Sequence, residues 1–216
     1  NGFGEDLIAT HLVKEAKRYF KNNHIQVCAL VGEGKSYESI GLTSCLNNPT
    51  FPSGGFIRSI IDLVKDIIAG LLTHIFYQKK YIQKKVNPNS IVFCVGDVFC
   101  LWMAPKLPKH QIIFIPTAKS NSFMPHNIFE RWFIRKKAGL VFARDNQTSQ
   151  HLRENNINAH FCGNPMMDHL FCTRKITSQD SNKKVVGILP GSREESCRNG
   201  SMYSQSRFGF RSAHRR

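Results

Sequence analysis

The stretch Ser90-Ile91-Val92-Phe93-Cys94-Val95-Gly96-Asp97 decides the fold. It is short, rich in β-branched and aromatic residues, and apolar on both alternating faces until it stops at a glycine and an acid. A strand that half-faces water alternates apolar with polar residues. A continuous apolar run is the mark of a strand in a parallel sheet with both faces covered. Outward from it, the same pattern recurs at His24 to Val31 (HIQVCALV), Gln111 to Ile115 (QIIFI), Gly139 to Ala143 (GLVFA), Ala159 to Cys162 and Val185 to Leu189 (VVGIL). Helical stretches separate these runs: Glu5 to Lys21, Ile57 to Lys85, Phe99 to Lys106, Asn127 to Lys137 and Asn146 to Asn155. Strand–helix alternation predicts an α/β, doubly wound parallel sheet of Rossmann-like type. The helix at Glu5 needs a strand before it, so the first strand of the sheet is expected upstream of Asn1.

The 216 residues are 41% hydrophobic and 21% charged, enough apolar material for a real core. That excludes a disordered chain, a coiled coil and a collagen-like repeat. No apolar run reaches the roughly 18 residues of a membrane-spanning helix. Net charge is +15, and the last seventeen residues contribute four of those charges through Arg207, Arg211, Arg215 and Arg216. Such a surface suits nucleic acid, an anionic membrane face or a phosphorylated substrate. A generally basic proteome is the ordinary alternative. The seven cysteines are odd in number, lack metal-ligand spacing and mostly sit in apolar runs. They predict a reducing compartment without disulfides or structural zinc.

The polar segment Thr173 to Lys184 marks a boundary. Residues 1–173 read as one Rossmann-like domain lacking its first strand, 174–183 as a linker and 184–199 as the start of a second such domain. Residues 200–216 lose periodicity and read as a basic tail, either natural or frameshifted. Within the first domain, Ile57 to Phe76 is strongly amphipathic and is followed by Lys79, Lys80, Lys84 and Lys85. It reads as a membrane-surface helix with a basic flank or, more ordinarily, as a crossover helix packed on the sheet.

Strand ends carry the candidate chemistry, because ligands of open α/β sheets bind outside the carboxyl ends of the strands. Asp97 stands at such an end. A carboxylate there can act as general base towards an alcohol, or as the N-cap of the next helix, and both roles stand together. Thr117, Lys119 and Ser120 follow another strand and suit phosphate or hydroxyl contacts, or a solvated loop. Glu33 ends the HIQVCALV run. Ala29-Leu30-Val31-Gly32-Glu33-Gly34-Lys35-Ser36 nearly matches a phosphate loop, but Ala29 replaces the first glycine and too few helical residues follow. A magnesium-dependent nucleotide hydrolase is therefore a rival, with Asp97 as its acidic strand end. In Asn1-Gly2-Phe3-Gly4-Glu5-Asp6 the acids sit in a first helical turn, so that loop suits neutral hydroxyls better than a diphosphate. Gly191, Ser192 and Arg193 form a strand-to-helix turn suited to a diphosphate. Gly163 and Pro165 break the chain at a hinge.

NGFGED, VGEG, FPSGGF, VGD, PTAKS, GNPMMD and LPGSRE stand here in this order. Together they resemble lipid-A-disaccharide synthase-like glycosyltransferases, particularly the related branch of cyanobacteria, over residues 1–199. The resemblance implies a GT-B architecture of two Rossmann-like domains with the active site between them. It implies transfer of an acylated glucosamine from a UDP carrier to an acylated sugar phosphate, with inversion and without metal or other cofactor. By matching motif, Asp97 is the catalytic candidate. Glu5, Asp6, Glu33, Thr117, Lys119 and Ser120 fall on the acceptor side, and Gly191, Ser192 and Arg193 on the donor diphosphate. The family continues for a whole second domain after LPGSRE, so the chain as it stands is expected to be a fragment, inactive without it. Partners implied are a UDP-sugar and an anionic glycolipid, at the cytoplasmic membrane face, with no specific nucleic acid. A UDP-sugar epimerase on the same fold is a near relative. An inactive membrane- or nucleic-acid-binding remnant is the non-enzyme rival.

Overall fold

The computed structural model describes residues 3–20, 24–46, 48 and 60–167. The chain divides into units Asn1–Phe171 and Cys172–Arg216, and the second lies outside the described residues. So do the expected strand Val185 to Leu189, the turn with Gly191, Ser192 and Arg193, and the FPSGGF segment.

Four parallel strands form the sheet in the order β1 (Val92–Gly96), β2 (Ile112–Pro116), β3 (Leu140–Phe142) and β4 (Ala159–His160). The connecting helices are α4 (Val98–Met103), α5 (Ile128–Lys137) and α6 (Asn146–Glu154). Before the sheet come α1 (Phe3–Tyr19), α2 (Ile60–Ile68) and α3 (Leu71–Lys85). The chain is thus α/β with a parallel sheet, compatible with a Rossmann-like fold.

Register explains the core. Cys94 pairs with Phe114, Phe114 with Val141, and Val141 with Ala159, giving one buried row across all four strands. Side chains alternate along a strand, so this row shares a face. Onto it pack Leu101 of α4, Ile134 of α5 and Leu152 of α6, each fully buried. Large apolar side chains of this kind each stabilise the fold by roughly 1.5–3 kcal/mol. The opposite face is only partly covered among the described residues: Ile8 of α1 borders Ile115 and Phe142, while Phe93 is exposed.

Each helix that leaves a strand is capped by a side chain. Asp97 caps α4, Asn127 caps α5 in a reciprocal capping box with Glu130, and Asp145 caps α6. Caps satisfy backbone amides that have no partner inside the helix. Here they also fix the direction in which each strand-end loop turns.

Three expectations are corrected. His24 to Val31 is not a strand of the sheet; among the described residues its ladder contact is a parallel bridge from Val27 to Ser44. Side chains take the place of a neighbouring strand. Ser44 Oγ accepts from Ala29 N (3.0 Å), Asn48 Nδ2 donates to Ala29 O and Gly32 O (both 2.7 Å), and Gln78 Nε2 donates to Leu30 O (3.0 Å). Buried backbone groups need partners of some kind, and this segment finds them without a sheet. Of the expected helix Ile57 to Lys85, residues 57–59 lie outside the described residues, and the rest is broken at Gly70, whose φ of 94° lies in the region that favours glycine. Cys28 and Cys45 form a disulfide, where none was expected. The Val27–Ser44 bridge and the Cys45 N to Val27 O hydrogen bond (2.9 Å) bring their Cα atoms to 5.3 Å. That proximity is tertiary, which spacing along the chain does not reveal.

The former amphipathic run now has two fates. Ile75 and Ile82 of α3 pack with Leu46 and Met103. On α2, Ile61, Val64, Ile67 and Ile68 are exposed, whereas Asp66 is buried.

Candidate functional site

The C-terminal ends of β1 and β2 open into a cavity of about 210 Å³. Asp97, Lys119, His126 and Glu130 bring polar groups to it, and Gly96, Val98, Phe99 and Pro116 supply much of the remaining wall. Gly96 (φ 135°) turns the chain where β1 ends.

Asp97 does what the cap reading anticipates. Its Oδ1 accepts from Phe99 N at 3.0 Å and Cys100 N at 3.3 Å. Oδ2 carries no hydrogen bond among the described residues. Beneath it, the Cys100 thiol donates to Val95 O at 3.3 Å, and burial pushes its pKa up to about 11. That thiol is therefore neutral at pH 7 and packs in the core behind the cap.

Lys119 is held by Glu130 at 2.7 Å and 2.8 Å, one contact to each carboxylate oxygen. Both side chains are about four-fifths buried, so the pair is screened less than an exposed one. Glu130 Oε2 also accepts from Asn127 N (3.1 Å) and meets His126 Nδ1 (3.3 Å). Burial raises the Glu130 pKa, but the hydrogen bonds from Lys119 and Asn127 outweigh it and hold the carboxyl below its ordinary range. His126 is almost fully buried. Burial lowers its pKa, with Lys119 and Arg131 adding to the effect and Glu130 opposing it, so the ring is neutral at pH 7.

Beside this cavity a second set of contacts ties the strand ends together. Thr117 Oγ1 donates to Glu5 Oε1 (3.3 Å), and Arg144 Nη1 donates to Thr117 O (3.3 Å). Asn121 N donates to Thr148 Oγ1 (2.7 Å), which itself donates to Asp145 Oδ2 (2.9 Å). Ser120 Oγ accepts from Ser122 N at 3.2 Å, and its hydroxyl favours the ionised form of Asp145. Burial raises the Asp145 pKa, and the hydrogen bonds from Thr148 and Ser120 more than reverse it.

The residues singled out in the sequence therefore separate. Asp97 and Lys119 line one cavity. Glu5, Thr117 and Ser120 fall in the neighbouring hydrogen-bond set. Asp6 is buried, and its Oδ1 accepts from Tyr37 Oη at 3.2 Å; burial raises the pKa of both groups. Glu33 is exposed and ion-paired with Lys35 at 2.7 Å, outside the cavity. After Gly34 the chain forms a six-residue 3-10 segment, Lys35–Ile40, so the near-match to a phosphate loop supplies no α-helix N-terminus for phosphates. His126 and Glu130 are additions that the strand-end motifs did not flag. Their signal is local: Asn127-x-x-Glu130 has the form of a capping box, and His126 is the residue immediately before it. Among the described residues no group of three or more His, Cys, Asp or Glu is placed to hold a metal ion.

No family model, curated protein or solved structure matches this chain. The fold and the cleft define the class: an α/β chain with a polar cavity at the carboxyl ends of its parallel strands.

Proposed function

We propose that this chain is the acceptor-side part of a GT-B glycosyltransferase resembling lipid-A-disaccharide synthases. It would serve transfer of an acylated glucosamine from a UDP carrier to an acylated sugar phosphate, with no metal. The observation that carries the reading is the cavity beyond β1 and β2, with Asp97 in its wall. In this scheme an acceptor hydroxyl gives its proton to Asp97 Oδ2. The oxygen attacks the anomeric carbon, and the bond to UDP breaks with its electron pair on the diphosphate. The Asp97 oxygen engaged in capping α4 fixes the carboxylate, which leaves the other free for this work. Gly191, Ser192 and Arg193 are assigned to the donor diphosphate by motif alone.

The test begins with intact-mass analysis of the native product and a reread of the coding DNA on both sides. The product of the full reading frame is then given a UDP-linked acylated glucosamine. UDP release that requires an added acylated sugar phosphate is the expected result. UDP release without acceptor, or sugar isomerisation with no release, overturns the reading in favour of a hydrolase or an epimerase.

A second reading, peripheral contact with an anionic membrane, has its own observation. The exposed Ile61, Val64, Ile67 and Ile68 of α2 precede the lysine-rich end of α3, where Lys80, Lys84 and Lys85 are exposed. No helix among the described residues is long and apolar enough to cross a membrane. An apolar face beside basic side chains is the composition of an interfacial helix. The chain is expected to sediment with phosphatidylglycerol vesicles at about 0.1 M salt and to be released near 1 M, where the screening length falls from about 10 Å to about 3 Å. Ile61→Asp with Ile68→Asp is expected to abolish binding even at low salt. Retention by that double variant would leave bulk charge as the cause.

A further inference from the structure

Lysines from three elements meet around Trp102. Lys79 of α3 lays its Nζ 3.2 Å from the centre of the Trp102 ring on α4. Lys106 stands just past α4, at the start of the turn Lys106 to His110 that leads into β2. Lys137 ends α5. Gly139, just beyond it, packs so closely on that turn that an added Cβ would meet the backbone of Lys109 and His110. Burial lowers the Lys79 pKa, and the charges of Lys137 and Lys106 lower it further, as ammoniums close by must. This corner lies at the amino ends of β2 and β3, opposite the cavity at the carboxyl ends of β1 and β2.

The three charges stand uncompensated. Among the described residues no carboxylate forms an ion pair with Lys79, Lys106 or Lys137. Lys119 makes the contrast, since Glu130 meets it with both oxygens. A cation in the last turn of a helix suits the helix dipole, which accounts for Lys137. Lys79 and Lys106 belong to other elements, so the dipole of α5 does not explain why they converge there. The Trp102 ring attracts the Lys79 ammonium but neutralises nothing. Like charges gathered in this way repel one another, and an anion placed among them relieves the repulsion.

Charge and donor geometry narrow the anion. An ammonium is a compact point charge with three N–H donors, so Lys79 keeps donors beyond the ring it rests on. A phosphate group of about −2 balances most of three positive charges, whereas a carboxylate leaves two of them unbalanced. Its oxygens also point to several sides at once, as ammoniums arriving from α3, the β2 turn and α5 require. Arginine forks, the usual holders of a planar carboxylate, take no part in this trio.

We propose that Lys79, Lys106 and Lys137 form a phosphate-binding site, remote from the cavity, for a phosphomonoester or free phosphate. The site stands independently of the glycosyltransferase reading, because none of its residues lines the cavity.

The full chain carrying Trp132→Phe keeps Trp102 as its sole tryptophan and reports on the site by fluorescence. Titration with inorganic phosphate at constant ionic strength is expected to change its emission saturably, and acetate over the same range is expected to leave it unchanged. Equilibrium dialysis of the unaltered chain against labelled phosphate gives the same constant without the reporter. Lys106→Gln with Lys137→Gln is expected to weaken phosphate binding by about tenfold, an ordinary loss for charge-assisted contacts. Lys80→Gln with Lys84→Gln removes the same charge from exposed positions on α3 and is expected to leave affinity within about twofold, as screening dictates for remote charges. No saturable binding, or an equal response to acetate, overturns the proposal. So does an equal loss in the two double variants, which would leave bulk charge as the cause. Vesicles of phosphatidylcholine with phosphatidic acid separate the two sources of phosphate. Vesicles that compete with inorganic phosphate at Trp102 assign the site to a lipid headgroup. Phosphate binding that the vesicles leave untouched assigns it to a soluble phosphate, and either result upholds the site.

Discussion

Asp97→Asn is expected to cut turnover of the full-length product by about a hundredfold, the lower end of what losing a general base costs. The substitution is chosen because the structure gives this side chain two duties. Oδ1 caps α4 through Phe99 N and Cys100 N. Asparagine caps a helix about as well as aspartate. The cap and the fold are therefore kept, while the oxygen that would take a proton loses its basicity. Asp97→Ala removes both, and is expected to add about 1 kcal/mol of destabilisation to the same kinetic loss. Steady-state turnover beside a urea melt separates these outcomes. Undiminished turnover in Asp97→Asn would remove Asp97 as the base. The cavity would then be a binding feature only.

The same side chain shows what the sequence makes legible. A β-branched run ending in glycine and aspartate predicts a strand and a cap, and both stand in the structure at β1 and α4, although β1 is buried on one face only. The row Cys94, Phe114, Val141, Ala159 follows from runs read one strand at a time; the cover expected on the other face is only partial among the described residues, where Phe93 is exposed. Residues 24–31 have the same composition and do not join the sheet. Which groups satisfy a backbone depends on where Ser44, Asn48 and Gln78 come to lie, and that is decided by contacts 15 to 48 residues apart. The Cys28–Cys45 pair was hidden for the same reason.

The site divides along that line as well. Asp97 and Lys119 were visible because strand ends mark where ligands bind. Asp6 drew notice as a first-turn acid, yet its burial against Tyr37 is a matter of how α1 meets the loop after Gly34. His126 passed unnoticed because a histidine between Pro125 and Asn127 resembles loop filler. Only Glu130, folded back by the capping box, gives its ring a partner.

A second substitution tests whether the cleft depends on the entry to β2 as well as its exit. Gly139 lies just before β3, where its N–H donates to Ile112 O at 2.9 Å. A Cβ added there would collide with the Lys109 carbonyl oxygen, lie 2.6 Å from His110 Cα and 2.9 Å from the Lys109 carbonyl carbon. These obstacles are backbone atoms of the turn that leads into β2, so no rotamer change relieves them. Overpacking costs typically 1–3 kcal/mol, and a backbone obstacle belongs at the upper end, so Gly139→Ala is expected to destabilise this unit by about 3 kcal/mol. Trp102 of α4 and Trp132 of α5 report unfolding of the helix layer over the sheet. Gly4→Ala is the control: a Cβ there meets nothing within 4 Å, and alanine in a helix is favoured over glycine by roughly 0.5–1 kcal/mol. If the crowding at Gly139 is relieved by sliding β2, the loop carrying Lys119 moves with it, and the cavity loses its geometry even where the variant remains folded. A Gly139→Ala protein within about 1 kcal/mol of the parent would show that the turn before β2 yields at little cost. Strand register, and with it the geometry of the cavity, would then be set by the Cys94–Phe114–Val141 row alone.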